Sequence, residues 1–99
     1  MKNACIVGYG AIGPVHADAI TNTDCANLYA VCDINADKAK LCTDKYGCKA
    51  YCDFDEMLKD EDIDVVHICT PHYLHKDMTI SALAAGKAVP VGMRAEAAR

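Results

Sequence analysis

The sequence predicts an α/β fold, a doubly wound parallel sheet of about five strands with helices on both faces. Three observations predict it. Short apolar runs alternate with helix-patterned segments along the chain. Asparagine, aspartate or glycine stands at most of the joins between them. The first apolar run leads directly into Gly8-Tyr9-Gly10-Ala11-Ile12-Gly13, which places three glycines at G-x-G-x-x-G spacing.

Each element follows from its residues. Asn3–Gly8 reads as a buried first strand. The first helix is expected from about Ile12 to Thr21, with Pro14 tolerated because the first turn needs no N–H donor there. Asn27–Asp33 is the second strand. Asn35 caps a second helix that ends near Tyr46, with Gly47 as its left-handed stop and Ala39, Cys42 and Tyr46 on its buried face. Lys49–Cys52 forms a short third strand. Asp53 caps a short third helix, with Glu56 placed three residues on as in a capping box and Phe54, Met57 and Leu58 on its apolar side. The acidic loop Asp60-Glu61-Asp62 reads as a solvated turn. Asp64–Cys69 is the fourth strand, and a long helix from about Tyr73 to Ala85 stops at Gly86. Ala88–Val91 is the fifth strand, and Gly92–Arg99 is a frayed turn or tail. Right-handed crossovers then give the strand order 3-2-1-4-5. There is no internal repeat and no low-complexity linker.

Size and charge limit the possible partners. A chain of 99 residues accommodates one domain with a modest core. The net charge is −4, from 10 Lys+Arg and 14 Asp+Glu. Both arginines, Arg94 and Arg99, lie at the end of the chain. Nucleic acids and anionic membranes need clustered positive charge, so neither is expected as a partner. No apolar run approaches the ~18 residues of a membrane span. The first residues enter a strand directly, so no signal peptide and a cytoplasmic location are expected.

The seven cysteines are Cys5, Cys25, Cys32, Cys42, Cys48, Cys52 and Cys69. Their number is odd, no C-x-x-C occurs, and Cys5, Cys32 and Cys69 fall within expected strands as small hydrophobes. A reducing compartment fits this usage better than a disulfide framework. The spacing of Cys42, Cys48 and Cys52 matches no common zinc pattern, so no metal is expected.

The glycine run gains meaning from its context. It follows a strand, opens a helix, and is followed by Asp33 twenty positions after Gly13. That is the dinucleotide-binding fingerprint of a Rossmann fold. Gly8 allows the tight turn, Gly10 lets backbone approach a pyrophosphate, and Gly13 lets helix pack on strand. The helix start offers free N–H groups and the positive end of its dipole to the anion. Asp33 accepts from the ribose hydroxyls and repels a 2′-phosphate. No arginine lies nearby, although Lys38 is close in sequence, so NAD is favoured over NADP. Ile34, next in the chain, joins the cofactor-binding set.

A second cluster, Thr70-Pro71-His72-Tyr73-Leu74-His75, falls at the carboxyl end of the fourth strand, on the same sheet edge as Gly8. Thr70 can present its hydroxyl and backbone to a ribose or nicotinamide. His72 and His75 are candidates for polar contacts there, and each also has the plainer reading of a helix-start or surface residue. His16 reads as a structural helix residue, and His67 as one packed on a sheet face.

Together these residues resemble the amino-terminal domain of the Gfo/Idh/MocA oxidoreductases, the glucose–fructose oxidoreductase and inositol dehydrogenase family. The matching pieces are the glycine run with His16-Ala17, Cys32-Asp33, Thr70-Pro71 with His75, and Gly86-Lys87-x-Val89. The likeness runs from about Lys2 to Val91. It implies a dinucleotide-binding domain at 1–91 with a divergent tail at 92–99. It also implies cofactor contacts for Gly8, Gly10, Ala11, Ile12, Asp33, Thr70, Pro71, His72 and His75. Similar proteins bind NAD or NADP and transfer hydride to or from a hydroxyl carbon of a sugar, polyol or related molecule.

The likeness also has a gap. Family members continue from Gly-Lys-His-Val into a Glu-Lys-Pro motif whose lysine serves the active site. Here those positions are Gly92, Met93 and Arg94, and methionine neither transfers a proton nor carries charge. Lys87 starts the fifth strand at the opposite sheet edge and is no substitute. The family's substrate domain is also missing from these residues, as in a truncated, frameshifted or degenerate product. The chain is therefore expected to bind cofactor without efficient turnover, and no catalytic residue is assigned. The alternative is a non-catalytic nucleotide-binding module with a regulatory or interaction role. A methyltransferase-like domain is disfavoured by Thr70-Pro71 and Gly13. Pro90 suits an edge strand, and an uncovered fifth-strand edge implies marginal stability and self-association.

Overall fold

A computed structural model of the chain describes residues 2–10, 13–23, 26–70 and 72–89, with backbone alone for 72–75. The elements are β1 (Lys2–Val7), α1 (Gly13–Thr21), β2 (Ala26–Cys32), α2 (Ala36–Tyr46), β3 (Lys49–Tyr51), α3 (Phe54–Leu58), β4 (Val65–Ile68) and α4 (His72–Ala84). The order 3-2-1-4 holds, and every pairing is parallel.

The expected fifth strand is reduced, among the described residues, to a single parallel bridge. Ala88 pairs with Val65, its N–H donating to the Asp64 carbonyl at 3.0 Å and its carbonyl accepting from Val66 at 2.8 Å. The bridge lies beside β4, where strand five was expected. Pro90 and Val91, and the tail at 92–99, lie outside the described residues.

Alternation along each strand feeds two cores. Ala4 and Ile6 of β1 pack with Ala17 and Ile20 of α1 and Ala39 and Cys42 of α2. Cys5 and Val7 pack on the other face with Met57 of α3 and Ala82 of α4. The register slips between Ala4 and Cys5, whose partners are Leu28 and Ala30. Tyr29 is the extra residue, so Tyr29 and Ala30 both serve the α3–α4 face, as a bulge allows.

The helix punctuation is local chemistry. Asn35 accepts from the N–H groups of Asp37 and Lys38, and Gly47 closes α2 at φ +72° with its N–H on the Thr43 carbonyl. Asp53 caps α3 by accepting from Asp55 and Glu56. Strand ends differ from expectation by a residue or so: Gly8, Asp33, Cys52 and Cys69 fall just beyond their strands rather than inside them. No described helix is long and apolar enough to cross a membrane.

Candidate nucleotide-binding site

Ladder hydrogen bonds continue past the strand ends and align the site. Gly8 N–H donates to the Cys32 carbonyl at 2.7 Å, Cys69 N–H to Val7 at 2.7 Å, and Asp33 N–H to Tyr51 at 3.0 Å. Gly8, Asp33 and the Cys69-Thr70 step therefore stand along one edge, at the carboxyl ends of the central strands. Parallel α/β sheets bind ligands at such an edge.

The three glycines do different work. Gly8 has φ +89°, and a Cβ there would lie 3.0 Å from Thr70 Cγ2 and 3.1 Å from Thr70 N. It needs both the left-handed conformation and the missing side chain. A Cβ on Gly13 would stand 2.7 Å from the Gly8 carbonyl oxygen, so the start of α1 sits directly against the turn. Gly10 differs: it is exposed, and a Cβ there would meet nothing within 4 Å. The described fold itself does not crowd that position. A small residue there leaves room for something outside the chain.

The first turn of α1 carries no acidic residue, so its N–H groups and dipole are not offset locally. Asp33 is half-buried, and both its oxygens hold backbone. Oδ2 accepts from Tyr9 N–H and Oδ1 from Asn35 N–H, each at 2.9 Å. Each carboxylate oxygen keeps a further lone pair for a hydroxyl. Ile34 beside it is 91% exposed, an apolar side chain directed to solvent. Burial, and then the neighbouring Asp33 charge, pushes the Cys32 thiol up to about 12, which leaves it an inert hydrophobe.

Of the residues singled out by sequence, the fold gathers Gly8, Gly13 and Thr70 at one point, with Asp33 tied to the same turn and Ile34 beside it. Thr70 is half-buried, and its hydroxyl donates to Met78 Sδ at 3.3 Å. His72 opens α4, and His75 lies in its first turn. Their side chains, and Ala11, Ile12 and Pro71, lie outside what the structure describes. Sequence reading missed Tyr9. It is only 6% exposed, packs in the α1–α2 core, and supplies the N–H that Asp33 holds. An aromatic between two turn glycines was the available signal.

The opposite end of the sheet carries a cavity of about 410 Å³ lined by Lys2, Ile63, Asp64 and Lys87, among others. It is remote from the glycine turn, and the Lys87 ammonium is already engaged by the Asp60 and Ile63 carbonyls. Among the described residues no cluster of His, Cys, Asp and Glu could hold a metal ion.

A glycine turn fitted between β1 and β4, an acid-free helix start and a carboxylate at the end of β2 define a Rossmann domain of the dinucleotide-binding kind. Comparison with known proteins gives the lineage. The model of the Gfo/Idh/MocA oxidoreductase family, for its NAD-binding Rossmann fold, matches residues 2–92, and the chain belongs to that family. Inositol 2-dehydrogenase of Salmonella paratyphi B is 39% identical over 89 residues, covering 87% of this chain and 26% of the enzyme. A 4-carboxy-2-hydroxymuconate-6-semialdehyde dehydrogenase of Sphingobium is 34% identical over 87 residues, covering 87% of this chain and 28% of that protein. The crystal structure of Lactobacillus casei scyllo-inositol dehydrogenase with bound NAD(H) and scyllo-inositol superposes with a TM-score of 0.85. It is 34% identical, over 90% of this chain and 27% of that one. The chain thus spans roughly a quarter of the length of these relatives.

Proposed function

We propose that the chain binds NAD(H) at the glycine turn and, as these 99 residues, does so without efficient turnover. The observation that carries the binding half is Gly10: an exposed position that the described residues leave open, lying in sequence between a turn that Asp33 holds in place and an acid-free helix start. The backbone at Gly8, Gly10, Ala11, Ile12 and Gly13 would hold the pyrophosphate. Asp33 would accept from the adenosine ribose, and exposed Ile34 would offer its apolar surface to the base. Thr70, Pro71, His72 and His75 would face the nicotinamide end. When bound, the nicotinamide ring supplies the hydride acceptor or donor.

The turnover half rests on Met93. Oxidising an alcohol removes the hydroxyl proton as the hydride leaves, and a positioned base speeds that step by about 10²–10⁴-fold. A thioether at the position of the family's lysine supplies no such base. The relatives differ in what they act on, and the positions here favour no single substrate.

Titration with NADH and NADPH tests the first half. NADH is expected to bind more tightly, because Asp33 repels a 2′-phosphate, and tighter NADPH binding overturns the choice of cofactor. Assay of NAD⁺ reduction with myo- and scyllo-inositol tests the second half. No inositol-dependent rate is expected from the 99-residue chain, and robust turnover refutes that half.

A further inference from the structure

Two thiols meet beneath α2. Cys42, inside the helix, is fully buried, and Cys48, just past its end, is half-buried. Their sulfur atoms lie 3.5 Å apart, and the residues are six positions apart along the chain. Gly47 makes this possible. Its left-handed turn ends α2 and folds Cys48 back onto the core cluster that contains Cys42. A disulfide needs the sulfurs at about 2.05 Å. Cys48 lies outside both α2 and β3, in the short connection between them.

We propose that Cys42 and Cys48 form a dithiol site that hydrogen peroxide converts reversibly to an intramolecular disulfide. Cys48 reacts first, because it is the more accessible thiol. Its thiolate attacks one peroxide oxygen, the S–O bond forms, the O–O bond breaks, and the departing hydroxide leaves as water with the Cys48 proton. Cys42 sulfur then attacks the sulfur of the Cys48 sulfenic acid. The S–S bond forms, the S–O bond breaks, and a second water leaves with the Cys42 proton. Two thiols are oxidised by two electrons, and one peroxide is reduced to two waters. A thiol reductant restores the pair.

The local hydrogen bond supports this order of events. The contact between the two sulfurs holds the Cys48 thiol below its usual pKa, and the same contact together with burial pushes Cys42 up. Tyr9, of the glycine turn, also contacts Cys42, so the pair adjoins that turn from the core side. The thiol pair can close whatever the turn binds.

The test is peptide mapping of the reduced chain after equimolar hydrogen peroxide, with remaining thiols alkylated before denaturation. Trypsin cleaves after Lys45, so the bond would join peptide Leu41–Lys45 to peptide Tyr46–Lys49. The linked pair is expected to account for most of the oxidised chain and to separate with dithiothreitol. Cys52→Ser should leave it in place and Cys48→Ser should remove it. Absence of the linked pair from the wild-type chain overturns the proposal, as does oxidation confined to exposed Cys52 or a link from Cys48 to any other cysteine.

Discussion

The carboxylate of Asp33 accepts a hydrogen bond from the backbone N–H of Tyr9 at 2.9 Å, tying the end of β2 to the turn that follows β1. Its other oxygen holds Asn35 N–H, the residue that caps α2. One side chain thus fixes the glycine turn and the entry to the next helix. Asp33→Asn retains a single acceptor and places an NH₂ group against one of the two N–H donors. Hydrogen bonds to charged groups contribute about 1.5–3 kcal/mol. Urea unfolding is expected to show a loss of about 1–2 kcal/mol, together with weaker NADH binding. Unchanged stability would mean the carboxylate does not hold the turn.

Gly10 and Gly13 should separate binding from folding. Gly13→Ala forces a carbon to 2.7 Å from the Gly8 carbonyl oxygen, where neighbouring backbone must shift, and overpacking of this kind costs about 1–3 kcal/mol. Gly10→Ala meets nothing within 4 Å among the described residues and should leave the melting temperature unchanged. The same Gly10→Ala chain is expected to lose at least about tenfold in NADH affinity. Calorimetric melting and titration of both variants check the contrast.

His67 should set part of the acid sensitivity. It lies near His16, with ring centroids 6.1 Å apart, and its Nδ1 is buried with no hydrogen-bond partner among the described residues. Burial first, then His16, holds its pKa below the usual 6.5. The unfolded chain therefore takes up this proton before the folded chain does. Stability from neutral His67 is present above pH 6.5 and is lost as pH falls toward the depressed folded value. His67→Val removes that proton site and the unpaired nitrogen, on a face where Val65 and Cys69 already pack. It is expected to gain about 1 kcal/mol near neutrality and to lose less stability than wild type between about pH 7 and about pH 5. Unfolding curves at the two pH values check both.

Lys87 is only 6% exposed, and its ammonium donates to the carbonyls of Asp60 at 2.8 Å and Ile63 at 2.9 Å. It clasps the loop before β4 to the segment after α4. Lys87→Met keeps the apolar stem and strands two carbonyls, with an expected cost of about 1–3 kcal/mol. Lys59→Met, at an exposed position, should stay within about 0.5 kcal/mol. Chemical denaturation of the pair distinguishes a buried clasp from a general charge effect.

Local rules made much of this readable from sequence. Asn35, Gly47 and Asp53 cap or stop helices through atoms a few residues away, so sequence spacing carries the information. Gly8 and Gly13 were assigned to the turn and the packing for reasons the geometry repeats. What sequence could not show depends on contacts far apart in the chain. Its position after β2 points Asp33 to a ribose, but its grip on Tyr9 links residues 24 positions apart. Local pattern places Lys87 simply at the start of a strand. Its burial depends on carbonyls 24 and 27 positions earlier. The bulge at Ala4/Cys5 shifts the inward-facing set by one residue, and no local pattern announced it.

Calorimetric titration of the 99-residue chain with NADH, beside Gly10→Val, asks whether the glycine turn holds the cofactor. Saturable one-site binding is expected for the chain, and loss of that binding in a variant that keeps its circular dichroism. Absence of saturable binding to the chain, or equal binding by a folded Gly10→Val, would contradict the assignment of the glycine turn as the cofactor site.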